Sequence, residues 1–219
     1  MNNQSGVTVG PAQLQGILTL PQNPRGLVIF AHGSGSSRLS PRNAYAAKYL
    51  QNHGFATLLF DLLTEGESAD RRNVFDIPLL ADRITQAVDW TRTQPNLASL
   101  SIGLFGASTG GGAAIAAAAQ RPNDVKAVVS RGGRPDLAGA ALEVIAAPTI
   151  LIVGGEDGPV IGLNETAQAK MRCKTALKII PGASHLFEEP GTLDEALKAA
   201  TAWFEEHLAG GAHDSAPIR

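Results

Sequence analysis

Ser101-Ile102-Gly103-Leu104-Phe105-Gly106-Ala107-Ser108-Thr109-Gly110-Gly111-Gly112, followed by a run of small residues, is the stretch that decides the fold. An apolar run gives way to glycines and then to alanines, which reads as strand, abrupt turn, helix. Within it, Gly106-x-Ser108-x-Gly110 has the spacing of a nucleophile elbow, with the serine in a strained conformation at the tip of the turn. Side chains two residues to either side would collide with neighbouring backbone, so glycine fills both places. The turn exposes the hydroxyl above the sheet and aims the N-terminus of the next helix at it, where developing negative charge is stabilised. A glycine-rich turn that merely packs an alanine helix onto a strand has the same letters. Placement between a strand and a helix favours chemistry.

Outward from this turn, short apolar runs alternate with amphipathic segments. Gly26–Ala31, Phe55–Phe60, Leu100–Phe105, Val125–Ser130, Thr149–Val153 and Thr175–Ile180 are each too short for a buried helix and read as buried parallel strands. Val7–Leu20, broken by Gly10-Pro11, reads as a leading antiparallel pair. Ser40-Pro41 is an N-cap with proline at the first helical position, opening a helix to about Asn52. Leu80, Ile84, Ala87, Val88 and Thr91 form one apolar stripe before Pro95. Thr192-Leu193-Asp194-Glu195 reads as a capping box leading into Ala196, Ala199, Ala200 and Trp203. Such strand–helix repeats demand a mostly parallel sheet with helices on both faces. One domain over residues 1–209 is expected, with a loose tail from Gly210 to Arg219.

Composition narrows the function classes. The 219 residues are 44% hydrophobic and 17% charged, which excludes disorder for the body of the chain. With 18 basic and 20 acidic residues the net charge is −2, giving no electrostatic case for nucleic acid or a membrane surface. No apolar run is long enough to span a bilayer, and Met1–Ser5 has neither the basic nor the apolar part of a signal peptide. The lone Cys173, expected in a helix away from every motif, suits a reducing compartment. A cytoplasmic protein is the expectation, as monomer or homodimer.

A serine needs a base. Of the five histidines, His207 is expected in the last helix and His213 in the tail, both solvated, while His53 precedes Gly54 at a helix end. His32 and His185 follow strands, where sites of open α/β sheets collect. His185, in Pro181-Gly182-Ala183-Ser184-His185-Leu186-Phe187, can reach over the elbow. Asp157, in Gly154-Gly155-Glu156-Asp157-Gly158 after another strand, would hold its tautomer; Glu156 is a rival and Asp136 a weaker one. One oxyanion donor should be the N–H of Thr109. The second should come from Ala31-His32-Gly33-Ser34-Gly35-Ser36-Ser37-Arg38, with the N–H of Ser34 expected and that of Gly35 the close alternative. This loop lacks both the G-x-x-x-x-G-K-[ST] and G-x-G-x-x-G fingerprints, so nucleotide binding is a weak contender.

Together, His32-Gly33-Ser34-Gly35-Ser36-Ser37-Arg38, Gly106-Ala107-Ser108-Thr109-Gly110, Gly155-Glu156-Asp157 and Gly182-Ala183-Ser184-His185 resemble a small α/β-hydrolase of the dienelactone-hydrolase-like group, from about Val7 to about Leu208. The resemblance implies an α/β-hydrolase fold, a triad of Ser108, Asp157 and His185, and an ester or lactone carbonyl as target. Dienelactone hydrolases carry cysteine where this chain has Ser108, which favours a plain carboxylesterase. No space is left for a cap domain between Ser130 and Thr149, so small or short-acyl esters are expected. Leu62, Leu63, Val160, Ile161, Leu186 and Phe187 are candidates for the acyl wall, with ordinary packing an equal reading. Arg38, Arg131 and Arg134 are candidates for a substrate carboxylate, although pairing with acids such as Asp61 or Asp136 is the commoner fate of such arginines. No metal-ligand spacing is present, and neither cofactor nor metal is called for. The partner expected is a small ester. Acyl transfer to another acceptor, and a silent scaffold that binds a small ligand, are the other readings.

Overall fold

The computed structural model describes residues 3–208. Eight strands form one sheet: β1 (Asn3–Val9), β2 (Leu14–Leu20), β3 (Leu27–Ala31), β4 (Ala56–Phe60), β5 (Ile102–Ala107), β6 (Val125–Arg131), β7 (Thr149–Gly154) and β8 (Thr175–Ile180). Their spatial order is β1-β2-β4-β3-β5-β6-β7-β8. β1 and β2 pair antiparallel, β2 joins β4 antiparallel, and every pairing from β4 to β8 is parallel. The strands β3 to β7 are apolar nearly throughout and buried on both faces, as parallel strands under helices must be.

The helices are α1 (Pro41–Asn52), α2 (Glu65–Ser68), α3 (Ile77–Thr93), α4 (Thr109–Gln120), α5 (Ala141–Val144), α6 (Gly158–Lys170) and α7 (Thr192–Leu208). One core layer sets α3 and α4 against the sheet through Leu80, Ile84, Val88, Ile115 and their neighbours. The other sets α1 and α7 against the opposite face through Leu50, Trp203, Phe204 and Leu208. This is the α/β-hydrolase architecture expected from the sequence, and only two short helical pieces occupy the stretch between β6 and β7.

Several boundaries moved, each for a reason. β5 runs on to Ala107 because its parallel pairing with β6 continues through Gly106↔Ser130 and Ala107↔Arg131. β1 reaches back to Asn3 through pairing alone, its first residues being exposed and polar. α3 starts earlier than its apolar stripe, at an Asp76 cap whose carboxylate accepts the Leu79 N–H at 3.0 Å. The capping box at Thr192 does not form: Thr192 lies inside α7 and its hydroxyl donates to the Glu189 carbonyl at 2.7 Å. A box forms instead at Thr64 and Glu67. Cys173 lies between α6 and β8 rather than in a helix. His207 is not solvated; its ring stands edge-on to Trp203 and its Nε2 is buried without a hydrogen bond. His213 and the tail from Gly210 lie outside the described residues.

Candidate active site

The order of strands reverses beside β3: the chain goes from β3 to β4 on one side, then returns to place β5 on the other. The C-terminal ends of β3 and β5 therefore open a crevice, the usual ligand position in an open α/β sheet. Ser108 stands there, at φ 51° and ψ −124°, a left-handed-side conformation that costs a non-glycine residue roughly 1–3 kcal/mol. The neighbouring glycines are required by space. A β-carbon on Gly106 would lie 2.6 Å from the Gly111 Cα, and one on Gly110 would lie 2.6 Å from the His32 carbonyl oxygen.

His185 and Asp157 meet at this edge although each follows a different strand. The His185 Nδ1–H donates to Asp157 Oδ2 at 2.6 Å, which leaves Nε2 as the basic nitrogen. Asp157 occupies the N-cap position of α6 but gives that helix no side-chain bond, so its carboxylate is free for the imidazole. Glu189 accepts the Ser184 N–H at 3.0 Å and so ties down the loop that carries His185. Ser108 and His185 line one open cavity of about 240 Å³, together with Gly33, Ser34, Arg42, Asn43, Arg131 and Leu186. A larger cavity of about 700 Å³ lies on the other side of the turn at Gly33–Ser36 and touches neither Ser108 nor His185.

Thr109 is the first residue of α4, so its N–H has no acceptor within the helix. The Ser34 N–H is not free: it donates to the Thr109 hydroxyl at 3.0 Å. That bond ties the β3 loop to α4, and Ser34 must exchange it to hold an incoming oxygen. The Gly35 N–H has no acceptor among the described residues. His32 braces the same loop. The Leu62 N–H donates to its Nε2 at 3.0 Å, so the proton resides on Nδ1 and is given to the Gly33 carbonyl, also at 3.0 Å. Burial holds the His32 pKa below its ordinary 6.5, against the smaller opposing pull of that carbonyl and of Asp61.

The other candidates divide. Leu62 and Leu63 line the larger cavity, and Arg38 does so while paired with Asp61. Leu186 lines the cavity of Ser108. Phe187 is buried and packs under Arg131, 5.4 Å from its guanidinium carbon. Val160 and Ile161 lie in the first turns of α6 and line neither cavity, because the stretch after Asp157 is helix. The start of that helix at Gly158 was missed because it buries only Asn164 and Ala167 and so has no apolar stripe. Asn43 and the brace at His32 were missed too; only the His-Gly pair after a strand pointed to the second.

A mostly parallel sheet, two helical layers and a positive-φ serine between β5 and α4 define an α/β-hydrolase. The chain belongs to the dienelactone hydrolase family, whose model matches residues 14–208. It is 53% identical to a dienelactone hydrolase from Anabaena variabilis ATCC 29413, with a TM-score of 0.91 over 95% of this chain and 98% of that one. A Mycobacterium tuberculosis H37Rv protein named as a phosphoribosyl transferase is 58% identical over 93% of this chain, but the match takes in 46% of that relative. The chain thus spans about half the length of this relative. A thiohydrolase of Aspergillus aculeatus is 34% identical over 51% of this chain and 35% of its own length.

Proposed function

We propose that this chain is a serine hydrolase of small or short-acyl carboxylic esters, lactones included. The observation that carries the reading is the 2.6 Å bond between His185 and Asp157, with His185 and the strained Ser108 facing one cavity. In the proposed reaction, Ser108 Oγ attacks the ester carbonyl carbon while His185 Nε2 takes its proton. The oxyanion is held by the Thr109 N–H and by the N–H of Ser34, with Gly35 the alternative donor. His185 then gives its proton to the leaving alcohol. Water, deprotonated by the same imidazole, releases the acid. A cavity of about 240 Å³ favours short acyl groups. Phosphoribosyl transfer is not carried over, since the chain spans less than half of the relatives so named.

The test is a panel of p-nitrophenyl esters of graded acyl length with a lactone included, run on the wild type and on Ser108→Ala. Turnover should be greatest for short chains and fall about 10⁶-fold in the variant, by analogy with other serine hydrolases. A fluorophosphonate probe should label the wild type alone. Unchanged turnover in Ser108→Ala would refute the assignment, and product analysis with added alcohols separates hydrolysis from acyl transfer.

A further inference from the structure

Three arginines emerge near the strand ends, and the structure sorts them by their partners. Arg38 is paired with Asp61, and Arg134 makes a two-pronged bond to Asp136 at 2.9 and 2.8 Å. The Arg131 guanidinium lies over the Phe187 ring at 5.4 Å but has neither an ion pair nor a hydrogen bond to any described residue, although the residue is only 6% exposed. Burial, with the repulsion of Arg42 second, pulls its pKa down to about 10, which still leaves it charged at neutral pH. Such an ion is expensive to bury without a counter-charge. Its position follows from the strand: it stands two residues after Val129, on the face covered by α1 and α7, and its main-chain carbonyl accepts the Ser108 N–H at 3.4 Å.

Asn43 is a second polar group of this kind. It is 4% exposed, its side-chain amide has no partner among the described residues, and it lines the cavity that holds Arg131, Ser108 and His185. It belongs to the first turn of α1, a helix of 12 residues whose cap, Ser40, lines the cavity as well. Pro41 has no N–H and the Asn43 N–H is held by Ser40 Oγ, so the Arg42 N–H is left over in that turn, and the helix dipole adds positive potential. Neither Arg131 nor Asn43 has a polar atom sealed from the cavity, for neither is among the fully buried unpaired groups.

We propose that this cavity receives a phosphate group carried by the substrate, with Arg131 and Asn43 as its ligands at the start of α1. The proposal deepens the ester reading and rests on it: the substrate would be a phosphorylated short-chain ester. A carboxylate has one charge and two oxygens in one plane, which a single guanidinium fork satisfies. A phosphate has up to two charges and three outward oxygens. Here the donors converge from the end of β6 and the start of α1, Arg42 lines the same cavity while paired with Glu188 at 2.8 Å, and Ser36 and Ser40 bring hydroxyls.

The test is calorimetric titration of the Ser108→Ala protein with glycerol 3-phosphate, propionate and glycerol. Glycerol 3-phosphate should bind at least about tenfold more tightly than propionate, and glycerol should not bind. Adding Arg131→Gln should weaken the phosphate ester about ten- to a hundredfold, the range of a charge-assisted bond, and Arg131→Lys should restore part of it. Equal phosphate affinity with and without Arg131, or propionate binding as tightly as glycerol 3-phosphate, overturns the proposal. Binding is read without the nucleophile, so a wild type that binds glycerol 3-phosphate through Arg131 yet cleaves no ester would sink the ester reading and keep the phosphate site.

Discussion

Ser108 combines two properties that mutations can separate, backbone strain and the hydroxyl proposed as the nucleophile. Its φ of 51° is tolerable to glycine and costly to any residue with a β-carbon. Ser108→Ala and Ser108→Gly should both be inactive, but the glycine variant should resist urea better than the alanine variant by about 1 kcal/mol. Equal unfolding midpoints would mean the turn holds no strain. Gly33 presents the complementary case. A β-carbon there would stand 3.0 Å from the Ser108 Cβ, so Gly33→Ala should lower ester turnover through displacement of the proposed nucleophile more than it lowers the unfolding midpoint. A midpoint loss without a turnover loss would contradict this.

Elements were legible where the signal lay within one segment. The Ser40-Pro41 start of α1 held, and Ser40 Oγ accepts the Asn43 N–H at 3.4 Å. The box at Thr192 failed because a carbonyl from the preceding turn, that of Glu189, competed for the hydroxyl. The loop after β3 rests on His32, whose neutral form both donates and accepts. Above pH 6.5 the unfolded chain also holds this imidazole neutral, so no stability is lost there. Below it the unfolded chain binds the proton first, and stability falls until the folded pKa is passed. His32→Gln should therefore lessen the loss of stability on acidification below pH 6.5, read as urea midpoints. A residual slope is expected from His207, which burial shifts in the same direction. An identical slope in the variant and the wild type would remove His32 from the account.

At the scale of the molecule, the sheet is clamped between α3 and α4 on one face and α1 and α7 on the other. Phe204 of α7 is fully buried and fills the space over Gly103 of β5, where a β-carbon would lie 2.6 Å from its ring. Phe204→Ala should cost about 3–5 kcal/mol of unfolding free energy, since little can move in to fill the void. A cost below 1 kcal/mol would show that α7 contributes little to the clamp. Among the described residues no helix is long and apolar enough to cross a membrane.

Sequence by itself determined the alternation of strand and helix, the glycines around Ser108, and the order serine, acid, histidine along the chain. Those features depend on sterics and hydrophobic spacing between near neighbours, which residue identity fixes. Only the tertiary structure decided which charges are neutralised. Asp61 and Asp136 answer Arg38 and Arg134, while Arg131 lines the cavity of Ser108 with Asn43 and has no ion pair among the described residues. It likewise decided that the Ser34 N–H is spent on Thr109. Coulombic and hydrogen-bond partners are chosen by distance through space, and the reversal of strand order beside β3 sets those distances.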